Sequence, residues 1–193
     1  MSIGFLKFAG IAALFLTLTS CSNDSNIIDM GPGTFEVVIT GDVEAEYDGF
    51  AIFAEYADQI TGQLFFAMSL TSNEGENIKT WFVRSGQFPG NDTYFIEPFT
   101  REEMNDPGWL FGTEEFVSFF MREVELEQDL FFSNSGTITL QLTTDNTMFG
   151  DFELVAAGYP RHSMIGEDEP EEMEVHLSGR FNAIFGEIMF PVF

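Results

Sequence analysis

Basic residues are nearly missing from this chain: seven lysines and arginines stand against 32 aspartates and glutamates, and only Lys7 and Lys79 are lysines. A surface of that sign repels phosphate backbones, which excludes nucleic acid as a partner, and it rules out a polybasic contact with anionic headgroups. Cysteine occurs once, at Cys21, so the fold must rest on a packed core without internal disulfides. Two histidines, His162 and His176, and one cysteine are too few soft ligands for a zinc centre. There is no phosphate-cradling glycine loop and no Gly-x-Ser-x-Gly elbow, and the glycines read as turn residues scattered along the chain. Two tryptophans and four tyrosines stand beside 24 phenylalanines. Sugar platforms favour the aromatic residues with a polar handle, whereas phenylalanine belongs in cores.

The lone cysteine has an informative setting. Lys7 precedes an apolar run from Phe8 to Leu16, followed by Thr17 to Ser20 and then Cys21. Charge, apolar stretch and small residues, in that order, make a secretory signal, and the run is shorter than the roughly 20 residues of a spanning helix. Leu18-Thr19-Ser20-Cys21 resembles the Leu-x-small-Cys box of bacterial lipoproteins, with Ser20 in place of the commoner Gly or Ala. The resemblance implies cleavage between Ser20 and Cys21 and acylation of the Cys21 sulfur, palmitate-type chains included. Several acyl chains hold a domain at a bilayer far better than one. Ser22, where an aspartate would retain such a protein at the inner membrane, points to the outer membrane.

The chain then divides into a leader over 1–20, a lipidated cysteine with a flexible tether over 21–33, and a single domain over 34–193. The leader removes Lys7 and no acid, so the mature charge is one unit more negative than the −25 of the whole chain.

From Thr34 onward short apolar runs alternate with period two and are separated by Gly, Asn, Asp and Pro, which is the pattern of an all-β domain. Gly136 to Leu142 and Asp151 to Ala156, either side of Asp145-Asn146, form the clearest hairpin. Glu114 to Glu127 fits both periods and is read as a strand from its setting, and a last strand is expected over Glu187 to Val192. One short helix is expected at Thr100-Arg101-Glu102-Glu103, which has the spacing of a capping box. The expected architecture is an antiparallel β-sandwich or flattened barrel of about nine or ten strands. Gly33-Thr34-Phe35, Gly136-Thr137-Ile138-Thr139-Leu140 and Leu177-Ser178-Gly179-Arg180-Phe181-Asn182-Ala183 resemble segments of small all-β envelope lipoproteins of Bacteroidetes type. That resemblance implies a β-sandwich and an envelope address, and it brings no catalytic residues.

The residues offer little chemistry. His176 falls on the polar side of its strand and His162 in a loop, and each reads as a solvated imidazole. Asp42, Glu44, Glu46 and Asp48 alternate, so an extended chain would place four hard oxygen donors on one face, a candidate calcium site. The competing reading is a solvated strand face within a haloadapted acidic coat, favoured by lysine depletion and the even spread of acids. No other cofactor is implied. Trp81 and Trp109 are the candidate exposed contacts for a ligand. The expectation is a non-enzymatic, lipid-anchored envelope protein, structural or binding an envelope protein or glycan. The alternatives are a carrier with a Phe-lined cavity for an apolar ligand, and an envelope hydrolase.

Overall fold

The computed structural model describes residues 30–57, 62–73, 77–106, 114–124, 127–143, 145–159 and 172–188. They form nine strands: β1 (Thr34–Gly41), β2 (Ala45–Ala57), β3 (Leu64–Ser72), β4 (Asn77–Ser85), β5 (Asp92–Ile96), β6 (Val117–Val124), β7 (Glu127–Leu142), β8 (Thr147–Tyr159) and β9 (Met173–Phe185). One helical turn, α1 (Arg101–Met104), follows β5. Eight strands run up and down in chain order, β1 to β4 and then β6 to β9, and β9 closes on β1. All eight of these adjacent pairs are antiparallel. The molecule is therefore a closed barrel with β5 added, and the expected sandwich is corrected. In a sandwich the first and last strands end as edges; here Thr34 to Gly41 pair residue by residue with Asn182 to Val175, which removes them.

Period-two alternation places Phe35, Val37 and Ile39 inside and Glu36, Val38 and Thr40 outside, and the other strands follow suit. An eight-stranded barrel is only wide enough for side chains to fill it or for one small ligand. Nine buried phenylalanines take that space: Phe35, Phe53, Phe66, Phe82, Phe116, Phe120, Phe131, Phe152 and Phe181. Rings this numerous fit because four of them lie opposite a glycine on the neighbouring strand. The pairs are Phe35 with Gly49, Phe131 with Gly158, Phe152 with Gly179, and Phe181 with Gly150. A methyl group on Gly150 would stand 2.9 Å from the Phe181 ring and 1.8 Å from the Thr139 carbonyl oxygen. These strand glycines correct the reading of glycine as a turn residue alone.

β5 explains the ninth strand. β7 pairs with β6 up to Phe132, passes a bulge between Ser133 and Ser135, and then pairs with β5 from Gly136 to Leu140. Ser133 holds the junction: its hydroxyl donates to the Glu97 carbonyl (2.7 Å) and accepts from the Ser118 amide (3.2 Å). The Ser118 hydroxyl in turn donates to the Trp81 carbonyl at 2.9 Å.

The excursion between β5 and β6 also covers an apolar patch outside the barrel. Phe99 and Met104 pack with Ile188 over Phe65, Trp81, Val117, Phe119 and Phe132, forming a second core. The capping box is present: the Thr100 hydroxyl accepts from the Glu103 amide, and the Glu103 carboxylate accepts from the Thr100 amide. The Tyr56 hydroxyl pins the chain's last described residues, donating to the Ile188 carbonyl at 2.9 Å and accepting from its amide at 2.7 Å. Glu187 and Ile188 lie in no strand, which corrects the start of the expected last strand; residues 189–192 of it lie outside the described residues.

Residues 30–33, expected to belong to the tether, lie against the barrel. Met30 is buried, and its carbonyl accepts from the Asn182 side chain at 2.9 Å, so residues 30–33 are already docked on the barrel.

Candidate functional site

Among the expected site residues, Ser20, Cys21 and Trp109 lie outside the described residues, as does His162. Trp81 is corrected. Its position on β4 points out of the barrel, as an exposed contact would, but the β5–β6 excursion and the C-terminal segment cover that face. The indole is 1% exposed and stacks on Phe119 with ring centroids 4.7 Å apart.

Asp42, Glu44, Glu46 and Asp48 are all exposed. The Asp42 carboxylate accepts from the Glu174 amide at 2.8 Å, which ties down the turn before β2, and Asp48 sits 3.5 Å from the Asn73 amide nitrogen. Among the described residues no group of three or more His, Cys, Asp or Glu is arranged to hold a metal ion. The strip has the geometry of a solvated face.

The sheet's outer wall carries a more developed feature. Register aligns Phe95, Thr137, Glu153, Ser178 and Val38 as one row across β5, β7, β8, β9 and β1. The next row is Ser135, Val155, His176 and Thr40. Between them runs a groove of about 460 Å³ whose lining includes Phe95, Thr137, Glu153, His176 and Ser178. Short hydroxyl side chains make its floor. Phe95, 69% exposed, stands at one side, and His176 stands at the other with Nε2 3.3 Å from a Glu174 carboxylate oxygen.

Below the groove the next row is Thr93, Thr139, Asp151, Arg180 and Glu36. The Arg180 guanidinium binds the Glu36 carboxylate through two nitrogens, at 2.7 and 3.0 Å. Desolvation pushes the Asp151 carboxyl above its ordinary value; the nearby Glu153 charge adds to this, and the hydrogen bond from Thr139 opposes it.

Glu174, His176 and Ser178 alternate along the same face of β9, but Ser178 makes no hydrogen bond to His176 among the described residues. The strand amides around them are committed to ladders, so no oxyanion donors converge there. The arrangement suits contact with a polar ligand and lacks the base–nucleophile contact of acyl transfer. Sequence reading placed His176 on the polar side, as found, but passed over Phe95 and Glu153. The available signal for Phe95 was its phase, since it shares a face with Thr93 and not with the buried Ile96.

No family model, curated protein or solved structure matches this chain.

Proposed function

We propose that this protein is a lipid-anchored envelope protein that binds a partner on the outside of its barrel, in the groove between Phe95 and His176. The observation that carries this reading is the phenylalanine-filled interior. It weighs against the alternative of a carrier for an apolar ligand and turns attention to the outer groove among the described residues.

A neutral glycan segment fits the groove's chemistry. The exposed Phe95 ring offers a stacking face for a sugar's C–H surface, while Thr137, Ser178, Glu153 and His176 supply donors and acceptors for hydroxyls. Three strand spacings separate Phe95 from the β9 row, about 14 Å, which suits a short oligosaccharide. The acidic surface disfavours an anionic one.

The leader supports the anchor: Lys7, the apolar run and Leu18-Thr19-Ser20-Cys21 have the order of a lipoprotein signal. Outer-membrane placement follows from Ser22.

Two experiments test the reading. Labelled palmitate fed to cells should enter the wild-type protein and not Cys21→Ser; incorporation into both overturns the anchor. Titration with a panel of neutral oligosaccharides, followed by amide chemical shifts, should perturb Phe95, Thr137 and His176 together, and Phe95→Ala should weaken binding about tenfold, the loss of one aromatic contact of ~1 kcal/mol or slightly more. Shifts that map elsewhere overturn the groove.

A further inference from the structure

Four of the seven exposed large apolar residues among the described residues, Phe50, Leu142, Ile184 and Phe185, gather at one end of the barrel. β2 and β9, beyond the start of β1, pair directly there, Ile52 with Ile184 and Phe53 with Phe185. Phe50 and Ile184 point outward, 60% and 40% exposed, and Ile184 lies against Gly33. Phe185 shares the phase of the buried Phe181 and Ala183, so it sits at the mouth, 65% exposed with an edge on Phe53 at 5.8 Å. This is also the end where the chain arrives, since Met30 is hydrogen-bonded to Asn182 and Gly33 donates to the Asn182 carbonyl.

We infer that this end of the barrel rests on the lipid bilayer, with Phe50, Ile184 and Phe185 in contact with its interfacial region. The inference rests on the anchor proposed above. Nine residue steps separate Cys21 from Met30, a reach of at most about 30 Å. An acylated Cys21 therefore keeps the apolar end close to the membrane. The opposite end comes so near only when those nine steps are drawn out to their full length. β8 has 13 residues, about 43 Å of strand, and a tilt of 35–45° leaves roughly 30 Å along the axis. β8 ends and β9 begins at that far end, with Gly158 opposite Met173. That distance is several times the Debye length of about 8 Å at physiological ionic strength. Tethering at Met30 thus brings the apolar end to the lipid and holds the far ends of β8 and β9, with Tyr159 and Glu172, beyond reach of headgroup repulsion. Glu55 and Glu187 are exposed at the near end, so a zwitterionic surface is the one that fits.

Cys21 is the only cysteine, so once it is acylated a second one takes a thiol-reactive fluorophore alone. The acylated protein would be labelled at Phe50→Cys, Phe185→Cys and, at the far end, Glu172→Cys, then reconstituted in phosphatidylcholine vesicles with brominated lipid. The expected result is blue-shifted emission and lipid quenching at 50 and 185, with neither at 172. If Phe185→Cys unfolds for loss of its contact with Phe53, Phe50→Cys still decides. An acylated Cys21, confirmed by mass, with position 50 as wet as 172 overturns the contact and leaves the anchor standing. A label that is shielded but not quenched is covered by protein, whether residues 189–193 or a second copy, and also overturns it. An unmodified Cys21 overturns the anchor and this inference with it.

Discussion

Individual residues in this chain are decided by what covers them. Trp81, expected as an exposed contact, faces out of the barrel yet is 1% exposed. The covering layer was not legible, because Phe99, Met104 and Ile188 reach this face from segments outside the barrel strands. Trp81→Ala should therefore cost about 3–5 kcal/mol in a denaturant melt, the usual penalty for emptying a buried aromatic site. Trp81→Phe should cost much less, since the buried indole N–H has no hydrogen-bond partner among the described residues and phenylalanine removes it. If Trp81 were a surface contact instead, both variants would melt with wild type. Asp151 makes a second residue-scale prediction. Its carboxyl is raised in the folded state, so the fold binds that proton more tightly than the unfolded chain does, and stability at this site falls as pH rises. Asp151→Asn should thus gain stability relative to wild type as pH climbs through the carboxylate range and keep the gain at neutral pH. Below the ordinary aspartate value the advantage should vanish, which paired melts across pH will read.

At the scale of elements, strand alternation made most of the β-structure visible, including α1 through its capping box. Two features hid the rest. The bulge at Ser133–Ser135 shifts the phase of β7, so the alternation from Gly136 to Leu142 was plain while the nine residues from Glu127 to Ser135 escaped the same pattern. Barrel closure was hidden because the β1–β9 register joins residues about 140 apart, and no local periodicity encodes that. The glycines held a clue: strand glycines facing phenylalanines make room for rings in a narrow interior. Gly150→Ala should destabilise by about 1–3 kcal/mol through overpacking against Thr139 and Phe181, whereas the same change at Gly31, where nothing lies within 4 Å, should be close to neutral. The junction of β5 offers a sharper test. Ser133→Ala strips partners from the Glu97 carbonyl and the Ser118 amide, a loss of about 1–3 kcal/mol. Hydrogen exchange should then rise first in β5 and at Ser118, with the β8–β9 ladder still protected; uniform acceleration would mean that β5 is no separate unit.

The whole molecule is governed by a net charge of −25 spread over a small closed barrel. Like charges at this density oppose compaction, and their repulsion is long-ranged until salt screens it at about 10 Å in 0.1 M. Two causes of the acidity predict different melts. If the acids are a coat, NaCl and KCl should raise the melting temperature alike, with most of the gain below about 0.2 M, where the Debye length shrinks fastest. If Asp42, Glu44, Glu46 and Asp48 bind calcium, micromolar calcium should add stability that neither salt supplies, about 2.7 kcal/mol at a hundredfold excess over the dissociation constant. The geometry favours the first outcome. All four carboxylates are exposed, Asp42 is already engaged by the Glu174 amide, and the four are split between the turn before β2, which holds Asp42 and Glu44, and β2 itself, which holds Glu46 and Asp48. A calcium-specific rise in melting temperature that disappears in Glu46→Gln would overturn the coat. A common rise in both monovalent salts, unchanged by Glu46→Gln, would mean that the strip contributes only its charge.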